Sequence, residues 1–117
     1  DTLVVVSHYY EELEQLADKL LILDKGRVVA FGKKDALFEK YCGKVVFIME
    51  NSEKNRELSK GFPVLKSPEH LIALSCENKE QEREIMTALA ENNVNFKRSS
   101  SDIEILFMNA RERFYEK

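Results

Sequence analysis

Short apolar runs alternate with amphipathic and polar segments along the first third of the chain. The first run, Leu3-Val4-Val5-Val6, is unbroken and mostly β-branched, which is typical of a strand buried on both faces of a parallel sheet. Residues 9–20 follow with apolar side chains at helical spacing and acidic side chains on the opposite face, so we expect a helix there. A strand that passes directly into a helix predicts an α/β unit.

Ser7 and His8 lie between this strand and this helix. In open α/β sheets ligands bind beyond the carboxyl ends of the strands, so His8 is the candidate functional residue. The alternative is a histidine at a strand end whose polar atoms are satisfied by the backbone. Ser7 is interpreted as a hydroxyl that caps the helix, because no second histidine or acid follows it in the arrangement of a catalytic triad.

A hairpin and a short helix are predicted next. Two apolar runs at 20–23 and 28–31 flank a turn in which Gly26 is expected to adopt a positive φ. The short helix is expected over 33–41. Its inward-facing residues are predicted to be Ala36, Leu37 and Tyr41.

The pattern changes at Lys44 and indicates a second unit over residues 44–117. Its strands are predicted at 45–49, 62–66, 70–75 and 94–97, and its helices at 52–60 and 78–91. This β-α-β-β-α-β order is ferredoxin-like. The chain as a whole therefore predicts a mixed α/β (α+β) fold with two domains, 1–43 and 44–117.

Two helices of the second unit carry terminal signals. Asn78 and Gln81 have the spacing of a capping box, and Asn92-Asn93 fits a left-handed stop. The apolar stripe of that helix is Ile85, Met86, Leu89 and Ala90. Ser101 and Glu104 predict a capping box for a last helix. The apolar face of the last helix is Ile103, Leu106, Phe107, Ala110 and Phe114.

Composition narrows the class of protein. The chain has 117 residues, of which 44% are hydrophobic and 33% are charged, and its net charge of −3 argues against a nucleic-acid partner. No apolar stretch approaches the ~20 residues of a membrane span. Two cysteines are too few for a disulfide scaffold and predict free thiols in a reducing compartment. Because the chain opens inside a strand without Met, we expect it to be a piece of a longer protein.

The other chemically notable residues have structural interpretations. His70 is expected to be a solvated surface group, and Cys42 and Cys76 small buried hydrophobes without metal-ligand spacing. Glu104 is explained by capping, and the stripe with Phe107 and Phe114 by core packing or a docking face. The acidic cluster of Glu11, Glu12 and Glu14 is interpreted as a solvated helix face. Tyr9 and Tyr10 are interpreted as packing against the sheet.

Residues 1–43 resemble the end of an ATP-binding cassette (ABC) ATPase domain, a P-loop NTPase. The run from Leu3 to His8 resembles the strand and loop of the family's switch histidine. The next helix of the family is matched, in the same order, by Glu12, Leu13, Ala17, Asp18 and Lys19. The family usually has Arg at the position of Lys19. The tail "ILxxGxVxxxGxxxxL" is matched by Leu21-Ile22-Leu23, Gly26, Val28, Gly32 and Leu37.

The resemblance implies an ATPase subunit of an ABC transporter, at the cytoplasmic face of a membrane. Such a subunit couples ATP binding and hydrolysis, with Mg²⁺, to transport, and works as a dimer beneath a membrane-spanning partner. His8 would sense the γ-phosphate and position the attacking water, since a neutral imidazole both donates and accepts a hydrogen bond. The sequence contains no Gly-x-x-x-x-Gly-Lys-Ser/Thr phosphate loop, so the 117 residues alone are expected neither to hydrolyse ATP nor to bind it tightly.

Residues 44–117 resemble the accessory domain that follows the cassette in some ABC exporters. Those domains commonly end in a Leu-Glu-Asp-x-Phe helix; Ile103-Glu104-Ile105-Leu106-Phe107 keeps the Glu and the Phe but not the Asp. The alternative function is a ferredoxin-like regulatory or dimerisation module that binds a small ligand or a partner. Because the first strand would present an unpaired apolar edge, we also expect the chain to self-associate through residues 1–43.

Overall fold

A computed structural model describes residues 3–6 and 18–116 of the chain. It confirms the mixed α/β class. Among the described residues, no helix is long and apolar enough to span a bilayer. The elements are β1 Leu3–Val6, β2 Lys19–Asp24, β3 Arg27–Lys33, α1 Lys34–Cys42, β4 Val45–Glu50, α2 Glu53–Ser59, β5 Val64–Leu65, β6 Leu71–Cys76, α3 Lys79–Glu91, β7 Phe96–Ser99 and α4 Ile103–Tyr115.

The first three strands form the amino-terminal sheet, in the order β1-β2-β3. β1 is parallel to β2, with Val6 opposite Ile22, whereas β2 and β3 form an antiparallel hairpin. Lys25 and Gly26 both adopt positive φ, 52° and 76°, which is the geometry of a type I′ turn and confirms the prediction for Gly26. β2 confirms the strand predicted over 20–23 and begins one residue earlier, at Lys19, so the end of the predicted helix at Leu20 was wrong. The rest of that predicted helix lies mostly outside the described residues.

The remaining four strands form the carboxyl-terminal sheet, in the order β5-β6-β4-β7. Every neighbouring pair in this sheet is antiparallel. The order of elements from β4 to β7 is β-α-β-β-α-β, as predicted. β5 has only two residues and follows Pro63 at the sheet edge, which agrees with the restriction that proline places on strands. β7 begins two residues later than the sequence pattern indicated.

The carboxyl-terminal sheet is covered on both faces. Val45, Phe47 and Met49 of β4 pack in one cluster with Ile85 and Leu89 of α3. The alternate residues of β4, Val46 and Ile48, belong to a cluster on the opposite face that includes α4. Since side chains alternate along a strand, the unbroken apolar run of β4 reflects burial on both sides.

α4 lies between the two sheets and joins them in one core. Its residues Ile103 and Leu106 are fully buried. They share a cluster with Leu20 and Ile22 of the amino-terminal sheet and with Val46 of the carboxyl-terminal sheet. The core of residues 18–116 therefore runs across the predicted boundary at residue 43.

Helix ends and faces differ from the predictions in three places. Asp102, not Ser101, caps α4, because its carboxylate accepts the Ile105 N–H at 3.0 Å; the predicted box with Glu104 was wrong. On α1 the buried residues are Leu37, Phe38 and Cys42, whereas Ala36 is exposed and Tyr41 is half-buried. On α3, Ile85 and Leu89 are buried, whereas Met86 and Ala90 are exposed.

The ends of α3 follow the sequence signals. Asn78 accepts the Gln81 N–H at 2.8 Å, which confirms the predicted cap. The Gln81 side chain accepts the N–H of Glu77, one residue before the cap. Asn93 has a φ of 55°, which confirms the left-handed stop.

Gly43 connects α1 to the carboxyl-terminal sheet at a position where the backbone is closely packed. Its φ is 97°, and a Cβ at this position would lie 2.6 Å from Ser75 Oγ and 3.0 Å from the Cys76 carbonyl oxygen. Ser75 Oγ donates to the Cys42 carbonyl at 2.7 Å, and the Lys44 N–H donates to the Cys76 carbonyl at 2.9 Å. Only glycine fits both this backbone conformation and this packing.

Candidate functional site

The site predicted from the sequence is at the carboxyl end of β1. The strand prediction is confirmed, and β1 ends at Val6 beside Ile22 of the parallel strand β2. Ser7 and His8 lie outside the described residues, so the role of His8 stays a prediction. Also outside are Tyr9, Tyr10, Glu11, Glu12 and Glu14.

At the same end of the amino-terminal sheet, where β1 and β2 finish, a hydrogen bond connects β2 to the end of α4. β2 runs past Ile22 to Asp24, whose carboxylate accepts the Tyr115 hydroxyl at 2.9 Å. The Lys25 ammonium lies 5.8 Å from the centre of the Tyr115 ring. The hydrogen bond to Asp24 raises the pKa of Tyr115, because the carboxylate stabilises the protonated phenol. The last turn of α4 therefore contacts the carboxyl end of β2, the strand that pairs with β1.

A second contact holds α4 to α1. The Arg113 guanidinium donates to the Lys40 carbonyl at 3.2 Å and lies 5.0 Å from the centre of the Tyr41 ring. A carbonyl in the last turn of a helix lacks an intrahelical partner, so Arg113 satisfies a group that would otherwise need water. The contacts of Tyr115 and Arg113 are both at the surface, so they contribute little to the free energy of unfolding and mainly fix the orientation of α4.

The carboxyl-terminal sheet contains a cavity of about 480 Å³ at the end where β4 begins and β6 and β7 finish. Among its lining residues are Lys44, Val45, Cys76, Lys79, Glu82 and Arg98. Arg98 Nε contacts Glu82 Oε2 at 2.5 Å. Neither Lys44 nor Lys79 forms an ion pair within the part of the chain that the structure describes. Sequence reasoning missed this site, because its residues come from three separate segments, within 44–45, 76–82 and 98–100, and the only local signal is a basic residue next to a strand or helix end.

The other candidate residues have the structural positions expected for them. His70 is exposed in the turn before β6. Cys42 and Cys76 are buried free thiols in the two different core clusters. Phe107 is buried and Phe114 is half-buried against the core. Within residues 3–6 and 18–116, no group of three His, Cys, Asp or Glu side chains is placed to hold a metal ion.

The two thiols are expected to react slowly with a disulfide reagent at pH 8. Burial raises the pKa of the Cys42 thiol to about 12, and burial also raises that of Cys76. Only the thiolate attacks, so we expect Cys42 in the native chain to react about 10²-fold or more slowly than in urea, and Cys76 also to react more slowly than in urea. Absorbance after addition of 5,5′-dithiobis(2-nitrobenzoate) measures this, and Cys42→Ala and Cys76→Ala assign each thiol.

The raised pKa of the Cys42 thiol also predicts how the stability of the fold depends on pH. Because folding raises the thiol pKa, the native chain retains a proton that the unfolded chain loses, so stability falls as pH rises from the ordinary value of about 8.5 toward 12. A native Cys42 that reacts as fast as the denatured chain would contradict the burial of this thiol.

Part of the chain is similar to ATP-binding proteins of export systems. Over 58 residues, 50% of its length, it is 34% identical to the Nod factor export ATP-binding protein I of Mesorhizobium japonicum. Over 42 residues, 36% of its length, it is 40% identical to proteins of the same name from Bradyrhizobium diazoefficiens and Rhizobium sp. (strain N33). The chain spans only 14–17% of the length of these relatives. No protein-family model matches it.

Proposed function

We propose that the chain is the C-terminal part of the ATP-binding subunit of an ABC transporter. The observation that carries this proposal is the order of elements in residues 3–42. A parallel strand pair is followed by an antiparallel hairpin with a glycine turn and then by a short helix. This order matches the elements expected from the switch-histidine strand onward. The similarity to export ATP-binding proteins supports the same assignment.

His8 is proposed as the switch histidine of the complete subunit. It follows the carboxyl end of β1 by two residues, which is where open α/β sheets bind ligands. The groups that bind Mg²⁺ and ATP in this family would lie outside residues 1–117, because the sequence contains no phosphate loop. Those groups would belong to the remainder of the subunit, and this chain alone would not hydrolyse ATP.

The coding sequence upstream of Asp1 tests the assignment directly. An ABC ATPase requires a phosphate loop, a signature loop and the acidic residues that hold Mg²⁺, in that order before the switch histidine. Their presence in one open reading frame with residues 1–117 supports the proposal. A reading frame that starts at Asp1, or an upstream domain without a phosphate loop, overturns it.

The proposal includes the partners and the location of the complete subunit. We propose a dimer of ATPase subunits beneath a membrane-spanning subunit, at the cytoplasmic face of the membrane. Transport of the substrate would depend on ATP binding and hydrolysis by that dimer. The similarity to export proteins supports this arrangement.

The second candidate function is a ferredoxin-like module in residues 44–117 that binds a small ligand or mediates dimerisation. The element order β-α-β-β-α-β and the sheet order β5-β6-β4-β7 support a ferredoxin-like assignment. The cavity at the end of this sheet favours a ligand-binding role. The two functions are compatible, since an accessory module can regulate the subunit to which it is attached.

The isolated chain is expected to self-associate through residues 1–43. β1 lies at an edge of the described amino-terminal sheet, and the exposed β3 residues Val28 and Phe31 add apolar surface, at 54% and 59% exposure. Unpaired apolar edges are templates for strand pairing, and a charged residue opposes it. Light scattering should therefore show a mass that rises with concentration for the native chain and a monomer for Val5→Lys.

The matched control places the same substitution on the other sheet. Val64 is 56% exposed on the edge strand β5, so Val64→Lys should associate as the native chain does. A native chain that stays monomeric at high micromolar concentration would contradict association through residues 1–43.

A further inference from the structure

We propose that the cavity formed by the start of β4, the end of β7 and the start of α3 binds a small molecule that carries a phosphate group. Its volume of about 480 Å³ lies within the range of ~300–1,000 Å³ that is usual for small-molecule sites. Val45 and Cys76 are buried and supply an apolar floor. This proposal rests on the second candidate function, binding of a small ligand by residues 44–117, and names the class of ligand; it does not depend on ATP hydrolysis by the complete subunit.

The side chains that line the cavity carry a net positive charge, whereas the chain as a whole is negatively charged. Three basic side chains line it, Lys44, Lys79 and Arg98, against one acidic side chain, Glu82. Glu82 is paired with Arg98 at 2.5 Å, so this pair is close to neutral. Two ammonium groups are left without a partner among the described residues. In a chain with a net charge of −3, this local excess of positive charge favours an anion.

The types of the basic residues favour phosphate over carboxylate. A carboxylate is planar and is bound best by the two parallel N–H groups of an arginine, but the arginine of this cavity is already engaged by Glu82. The lysine ammonium is a compact charge with freely rotating donors, and it suits a phosphate dianion that presents oxygens in several directions. Ser100 and Asn78 add polar side chains to the lining.

A neighbouring cavity of about 340 Å³ shows where an anion would not bind. It shares Lys44 and Ser100 with the proposed site, but its lining also contains Asp35 and Glu39. Two carboxylates would repel a phosphate group, so the anion is directed to the cavity that Lys44 lines together with Lys79. The backbone of Lys44 is fixed by the hydrogen bond from its N–H to the Cys76 carbonyl at 2.9 Å.

Titration of the ¹⁵N-labelled 117-residue chain with glycerol 3-phosphate at constant ionic strength tests the proposal. The amide signals of Lys44, Lys79 and Ser100 should shift and reach saturation. The double variant Lys44→Gln/Lys79→Gln should raise the dissociation constant by about tenfold or more, since it removes both unpaired cations. Both residues are exposed, so an unchanged remainder of the spectrum will show that the fold is retained.

The matched control is Lys97→Gln, on β7 directly before Arg98. Lys97 is exposed but does not line the cavity, so affinity should change by less than about twofold. Shifts that fail to saturate, or that sodium chloride reproduces, overturn the proposal. An equal loss of affinity in Lys97→Gln would show general surface attraction and also overturn it. Succinate binding as tight as that of glycerol 3-phosphate would overturn the assignment to phosphate.

Discussion

Replacement of His8 by alanine in the complete ATP-binding subunit is expected to slow ATP hydrolysis by about 10²-fold or more. This expectation rests on the proposed function. An imidazole at the end of β1 would hold the attacking water against the γ-phosphate, and alanine has no group that can donate or accept a hydrogen bond. ATP binding should persist, because the groups that bind it would lie outside the 117 residues. Steady-state hydrolysis and nucleotide binding, measured on the same variant, separate the two effects.

His70→Ala is the matched control for this substitution. His70 is the second of the two histidines of the chain and is exposed in the turn before β6, so its loss should leave hydrolysis unchanged. Near-normal turnover in His8→Ala would remove this histidine from the mechanism. Loss of both binding and hydrolysis would instead point to misfolding of the amino-terminal sheet.

Replacement of Leu106 by alanine should destabilise the chain by about 2–5 kcal/mol, the range for leucine in a packed core. Leu106 has no exposed surface, and its cluster contains residues of both sheets. The cavity left in α4 should therefore weaken both sheets together. Urea denaturation gives the free energy of unfolding, and hydrogen exchange at the amides of Ile22 and Val46 reports each sheet separately.

Met86→Ala removes a side chain of similar size from a surface position and serves as the control. Met86 is 40% exposed on α3, so we expect its loss to cost less than about 1 kcal/mol. If Leu106→Ala weakened protection in the carboxyl-terminal sheet and left Ile22 unchanged, the two sheets would have independent cores. That outcome would contradict the shared cluster around α4.

Signals that act over a few residues predicted much of the fold. The Asn78 cap, the Asn93 stop and the Gly26 turn each depend on the chemistry of one or two side chains, and the structure places each where the sequence indicated. The cap of α4 shows the limit of such signals. Ser101 and Asp102 are both good caps and are adjacent, so local chemistry could not decide between them.

Features that depend on tertiary packing were predicted less well. Leu20 fits both a helical stripe and the apolar run of the next strand, and the pairing of Val4 with Leu20 across the parallel strands makes it part of β2 alone. Met86 and Ala90 extend the stripe of α3, yet that helix contacts the sheet through a narrower face, and both residues are exposed. Sequence patterns give the period of a helix but not the width of its contact.

The two candidate sites also differ in whether local sequence alone could predict them. His8 could be proposed from the sequence because the strand and the histidine are contiguous. The cavity with Lys44, Lys79 and Arg98 could not, because sheet topology alone brings these residues together. No pattern in any one segment distinguishes them from other exposed basic residues.

The joint at Gly43 has a mechanical consequence. A hinge needs space in which its dihedral angles can change, but Gly43 packs against Ser75 and Cys76 and is bracketed by two hydrogen bonds. A rotation of the carboxyl-terminal sheet would therefore be passed on to α1 as a displacement instead of being absorbed between them. The helix and the carboxyl-terminal sheet would move as one rigid unit, and α1 would pass the movement on to β3, the strand of the amino-terminal sheet that it contacts.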